Sequence, residues 1–154
     1  MLREAGFVWD AEAEFIRARD FATFRVRKNT DVLLKLDFVN DLVPCYGGIN
    51  KTGLFCRTDS IRNILSNKLS AIFRYAAKDI VDIREIALHE SIDWSAIIRE
   101  ARQKEAGLEL TYVSEILTGM PQSEFETIAW VKKPEWDVFC EDINRIVFDM
   151  MSGA

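Results

Sequence analysis

With 154 residues, 49% of them hydrophobic, the chain has material for one cored domain, or for a small β-containing lobe fused to a helical one. No apolar run approaches the roughly 18 to 20 residues that span a bilayer, residues 1–7 hold no apolar signal segment, and a net charge of −5 argues against a protein that coats nucleic acid over its whole surface. Cys45, Cys56 and Cys140 form no C-x-x-C pair, which excludes a disulfide framework or zinc knuckle and makes a reducing cytoplasm the expected setting.

Residues 1–58 read as β-rich. Phe15, Phe21, Phe24 and Val26 lie in aromatic and β-branched sequence, Lys28-Asn29-Thr30-Asp31 is a polar turn, and 32–39 is a strong strand. Segments 22–27 and 32–39 are therefore expected to pair as a hairpin. Pro44, Gly47, Gly48 and Gly53 mark 41–53 as loop, and 53–57 has the composition of one more short strand. From Asp59 the apolar period becomes helical: Ile61, Ile64, Leu65, Leu69 and Ile72 form a stripe behind an Asp59 or Ser60 cap. A second helix is expected over 77–89, a third from an Asp93 cap through Lys104, and a fourth over 111–117. Gly119-Met120-Pro121 is a break, and 134–151 reads as a terminal helix carrying Trp136, Phe139, Ile143, Ile146, Val147 and Met150. The expected fold class is α+β: a small antiparallel or mixed sheet over 1–58, then an α-helical bundle over 59–154.

Charge is unevenly spread. Between Arg57 and Arg84 there are six bases and three acids, a local +3 on an acidic chain. Such a patch serves a phosphate-bearing ligand as readily as it forms an ordinary solvated helix face. Within it, Lys68 falls between Ile64 and Ile72 on the apolar stripe, so it must snorkel, pair with an acid or reach a ligand. Asp79 falls between Ile83 and Ile86 on the next helix, and Asp82 follows one turn later on the same face. A structural ion pair between Lys68 and Asp79 accounts for both charges; a site holding a phosphate and a metal accounts for them as well. Asp37 stands late in its strand on the face of Leu33, Lys35 and Val39, opposite Val32, Leu34, Leu36 and Phe38. That position suits a metal ligand or general base, and equally an ordinary half-solvated strand end.

The run from Asp59 to Arg74, with Asn67-Lys68-Leu69-Ser70-Ala71, and the following Lys78-Asp79-Ile80-Val81-Asp82-Ile83 resemble the nucleotidyltransferases of the AbiEii/AbiGii toxin family. Lys35-Leu36-Asp37-Phe38-Val39 is similar to the family strand carrying a third carboxylate. Leu2-Arg3-Glu4-Ala5-Gly6-Phe7 looks like the end of the helix before it, and Asp93-Trp94 with Ala101-Arg102-Gln103-Lys104-Glu105 suits the helical tail. The resemblance covers essentially the whole chain. It implies a partial polymerase-β-like nucleotidyltransferase core that moves a nucleoside monophosphate from an NTP to an RNA or protein acceptor. It further implies Mg²⁺ bound by carboxylates, and a toxin of a toxin–antitoxin pair with an antitoxin protein as partner. Under it, Asp37, Lys68 and Asp79 are the catalytic set, with Asp37 holding the metal. Lys68, Arg74 and Asp82 are then the nucleotide-binding set.

The sequence also departs from the family. Its first motif, a Gly-Gly or Gly-Ser turn followed by Asp-x-Asp, is expected ahead of residue 1. Gly47-Gly48 comes in the wrong order, and Asp10-Ala11-Glu12 has no such turn before it. The expectation is a C-terminal portion of the enzyme, inactive as it stands, with a non-catalytic partner-binding role as the alternative. Missing strands would also leave a sheet edge that favours a homo-oligomer by dimerisation, or aggregation. His89, the single histidine, sits at a helix end where capping is its expected role. Trp9, Trp94, Trp130 and Trp136 are expected in a core or interface.

Overall fold

The computed structural model describes residues 7–8, 16–17, 19–28, 31–40, 42–53 and 55–153. The expectations for residues 2–6, Trp9, Asp10-Ala11-Glu12, Phe15, Asn29, Thr30, Asp41 and Leu54 lie outside the described residues. The chain is α+β and forms two compact units, Met1–Val43 and Pro44–Ala154.

The first unit is an antiparallel sheet of β1 (Phe7–Val8), β2 (Ile16–Arg17), β3 (Phe21–Lys28) and β4 (Asp31–Val39). One side of β3 pairs with β1 at Arg27 and Lys28 and with β2 at Ala22 and Thr23, and its other side carries β4 along its full length. The β3–β4 hairpin is the one expected, extended by a residue at most strand ends. Aromatic and β-branched side chains favour it, and Phe24 and Phe38 stack at 5.5 Å between ring centroids. A bulge makes one correction. Val26 pairs with Leu34 but Arg27 pairs with Val32, so Leu33 is the extra residue. A one-residue slip moves Val32 off the face of Leu34, Leu36 and Phe38, where the strict alternation had put it.

The second unit is helical: α1 (Ile61–Ser70), a 3₁₀ turn (Ile72–Arg74), α2 (Ala77–His89), α3 (Trp94–Lys104), α4 (Leu110–Thr118), α5 (Gln122–Thr127) and α6 (Trp136–Ser152). Two starts are fixed by side chains. Ser60 Oγ accepts from the Asn63 N–H at 3.0 Å, and Asp93 Oδ1 accepts from the Ala96 N–H at 3.0 Å. The left-handed Tyr75, φ 54°, turns the chain from the 3₁₀ turn toward α2.

The sheet-to-helix boundary falls earlier than the expected 58/59, and the reason is visible in hydrogen bonds. Tyr46 N–H donates to Asn63 Oδ1 at 3.0 Å, and Ser60 Oγ donates to the Tyr46 carbonyl at 2.7 Å, so the loop after Val43 is anchored to α1. Gly47 lies beside Ser60 with φ 78°, a conformation that glycine adopts without cost. The expected strand at 53–57 does not form among the described residues. Thr52 and Phe55 exchange hydrogen bonds of about 3 Å within a turn, which uses the donors a ladder would need, and a single bridge joins Asn50 to Thr58.

The helical core gathers Leu65, Leu69 and Ile72 from the start of the unit, Ile83 from α2, Ile98 from α3, and Ile143 and Met150 from α6. α5 has no counterpart among the expected elements. It has six residues and one buried apolar side chain, Phe125, so no period betrays it. Phe125 nevertheless centres an aromatic cluster, with Trp130, Trp136 and Phe139 each 5.1 Å away between centroids. Phe125→Ala is expected to lower the unfolding free energy by about 3–5 kcal/mol, measured by urea denaturation followed by circular dichroism. Phe55, exposed in its loop, is expected to tolerate alanine at a cost below about 0.5 kcal/mol in the same measurement.

Candidate functional site

The apolar period predicted that Lys68 and Asp79 would both turn inward, and they meet. Lys68 leaves α1 from its last turn, and Asp79 sits in the first turn of α2, completely buried. Lys68 Nζ donates to Asp79 Oδ1 at 2.7 Å and lies 2.5 Å from Asp82 Oδ2. Arg74, from the 3₁₀ turn, donates through its guanidinium to Asp79 Oδ2 at 2.9 Å and from Nε to the Ala71 carbonyl at 3.3 Å. Each oxygen of Asp79 therefore has its own cation, and the N-terminal end of α2 adds a favourable field.

Electrostatics follow from this geometry. Burial disfavours the charged form of Lys68, but the hydrogen bonds to Asp79 and Asp82, with their negative charge, outweigh it and raise its pKa above the ordinary lysine value. Two bases and two acids leave the cluster with no net charge. Its chemistry is that of a clamp holding α1, the 3₁₀ turn and α2 at one corner.

Two further bases of the stretch, Arg62 and Arg84, are likewise held by acids. Arg62 Nε donates to Glu100 at 2.7 Å, and Glu100 first by hydrogen bonding and then by its charge raises the Arg62 pKa. The buried Arg84 holds Asp142 on α6 at 3.0 Å through Nε, also pairs with Glu85, and lies 5.6 Å from the centroid of Phe139. Asp37 belongs to the sheet unit, where it pairs with Lys35 of the same strand at 2.9 Å.

Sequence reasoning missed one network entirely. Lys104 at the end of α3 reaches α1, donating to Asn63 Oδ1 at 2.8 Å, Ser66 Oγ at 2.7 Å and Asn67 Oδ1 at 2.5 Å, and it stands 5.2 Å from the Tyr46 ring centroid. The available signal was three polar residues at helical spacing on a face turned toward the bundle. Asn63 and Ser66 are buried, and the Glu100 carboxylate of α3 keeps one buried oxygen without a hydrogen bond.

The implied Mg²⁺ can be tested against these donors. Magnesium is held through one or two open carboxylates together with substrate phosphates and several waters. Asp79 is occupied on both oxygens and closed to solvent, and Asp37 is held by Lys35. Among the described residues no group of three or more His, Cys, Asp or Glu side chains could hold a metal. Asp79 therefore has no open oxygen to offer the ion. His89 contacts the carbonyl of Glu85 through Nδ1 at 2.7 Å, the local helix-end role expected for it. Cys45 and Cys56 are exposed free thiols, and burial, then Asp137, pushes the Cys140 thiol up.

Beside this corner, a groove of about 910 Å³ runs between α2 and the segment 127–134. Asp82 and Glu85 line it against Lys78, Arg84, Lys132 and Lys133, with the exposed apolar side chains of Leu88 and Val131 at its rim. Among the described residues no helix is long and apolar enough to cross a membrane. Compared with known proteins, the sequence matches no family profile, no curated protein and no solved structure.

Lys68→Met is expected to cost about 1–3 kcal/mol, less than a fully broken buried pair because Arg74 remains on Asp79. The double variant Lys68→Met/Asp79→Leu is expected to regain most of that loss, since no buried charge is then left behind. Because the folded-state pKa of Lys68 is raised, its stabilisation is fully present below the ordinary value of 10.5 and is lost as pH rises through the higher folded-state value. Chemical denaturation of wild type and Lys68→Met from neutral to strongly alkaline pH should show the difference between them shrink only in that alkaline window.

Proposed function

We propose that the described residues act as a partner-binding part of an AbiEii/AbiGii-like nucleotidyltransferase, and not as a metal-bearing catalytic centre. The observation that supports this reading best is the complete occupation of Asp79 by Lys68 and Arg74. With both oxygens held by cations and shut off from solvent, Asp79 is set up to fix the angle between α1 and α2. The groove beside α2 gives the role a surface: Arg84 and Lys133 on it are paired with acids, and Lys78 and Lys132 are the charges it offers an acidic segment of a protein partner. An antitoxin of the toxin–antitoxin kind, in the cytoplasm, is the partner that the resemblance brings to this reading.

The catalytic reading is the competitor, and the spacing of Lys68, Asp79 and Asp82 is what favours it. It requires an NTP, an RNA or protein acceptor and Mg²⁺, with Asp37 on the metal and Lys68 and Arg74 on the phosphates. Incubation with each labelled NTP, Mg²⁺ and total RNA separates the two. On the binding reading no label is incorporated, and an antitoxin encoded beside the gene binds Asp37→Ala as tightly as wild type. Lys132→Glu, which reverses a charge in the groove, should weaken that complex about tenfold. Incorporation that Asp37→Ala abolishes would overturn the binding reading.

A further inference from the structure

The sheet unit carries a second feature, independent of that reading. Among the described residues β4 pairs with β3 alone, so its other edge is a row of backbone donors and acceptors along a nine-residue strand. The side chains on both of its faces are exposed: Phe38 is 56% accessible and Val39 66%. Among the described residues of the sheet unit nothing pairs with this edge, and an apolar edge of this length is a template for another strand.

A lysine in mid-strand is the usual means of forbidding such pairing, and Lys35 stands in that place. Here it is followed two positions later by Asp37, on the same face and 2.9 Å away. This spacing makes the strand complementary to itself. In an antiparallel pair centred on Leu36, Lys35 of each copy lies opposite Asp37 of the other, Leu34 opposite Phe38, and Leu33 opposite Val39. No charge meets an apolar group or a like charge. The neighbouring strand strengthens the case, because Lys35 is directly opposite Arg25 on β3, a like-charge cross-strand pair that an acid on the open side would offset. A pairing centred on Lys35 would instead place two lysines face to face, so the charges select one register.

We infer that β4 is a homodimerisation edge: two copies of the chain join β4 to β4, antiparallel about Leu36, into one continuous sheet across a twofold axis. Isologous contact of this kind closes on itself, so it ends at two copies and does not grow into a fibre.

Charge exchange tests both partner and register, with mass read by sedimentation velocity over a range of concentrations. The wild-type chain should run at twice its 17.7 kDa mass. Lys35→Asp puts four acids at the centre and Asp37→Lys puts four bases there, so each single variant should associate on the order of tenfold or more weakly. Mixing the two single variants should restore a dimer, a heterodimer. The aspartate introduced in one copy then meets the lysine introduced in the other across the axis, and the unchanged Asp37 of the first meets the unchanged Lys35 of the second. The double variant Lys35→Asp/Asp37→Lys should dimerise alone. Circular dichroism of each variant, matched to wild type, confirms that folding is retained. The inference is overturned if wild type stays monomeric throughout, if folded single variants dimerise like wild type, or if the mixture remains monomeric. A monomeric wild type whose edge is filled by a different protein strand is among the overturning results.

Discussion

The helical unit depends on one buried carboxylate. Asp79 has no access to water, and an ion so placed is tolerated only where opposite charge and hydrogen bonds replace its hydration. Lys68 and Arg74 provide both, and they come from separate elements, so the requirement sets the angle at which α1 gives way to α2. The left-handed Tyr75 and the 3₁₀ turn are what the backbone does to bring three charged groups to one point. Such a pair contributes less to net stability than an apolar contact of equal volume would. What it adds is specificity, because a slip of α2 along its axis would strand a charge.

The same logic recurs along the other side of α1. Arg62 with Glu100, and Lys104 with Asn63, Ser66 and Asn67, form a polar seam between α1 and α3, where an apolar one would be expected. Tyr46 covers this seam and is itself fixed by Ser60 and Asn63. The loop after Val43 is thus part of the helical unit because its backbone completes hydrogen bonds that the seam leaves open. Of the basic stretch that stands out in the sequence, Arg62, Lys68, Arg74 and Arg84 become, in the fold, bases held by acids of several elements.

Legibility in the sequence tracked the length of each pattern. α2, α3 and α6 repeat their apolar period over three or more turns, and the hairpin alternates over eight or nine residues, so their existence was readable. α5, with a single buried apolar side chain in six residues, was not, and neither was the bulge at Leu33, which depends on which partner residue the strand meets. The inward turn of Lys68 and Asp79 was readable because a charge inside a helical apolar stripe contradicts its surroundings. Their pairing was only one of two readings, since a period fixes the direction of a side chain and not what waits there. Lys104 was invisible for the converse reason: on its own helix it looks like any terminal lysine, and its partners lie 37 to 41 residues earlier. The exposed faces of β4 depend on which neighbours the strand has, and no local pattern carries that information.

The tie between Arg84 and Asp142 spans 58 residues of chain. During synthesis from the N-terminus, the arginine leaves the ribosome long before its acid exists. Until α6 arrives, Arg84 keeps its water, and the space it later fills beside Phe139 stays open. The last helix of the unit thus carries the counter-charge that allows an early residue to go under, and burial of Arg84 waits on that helix.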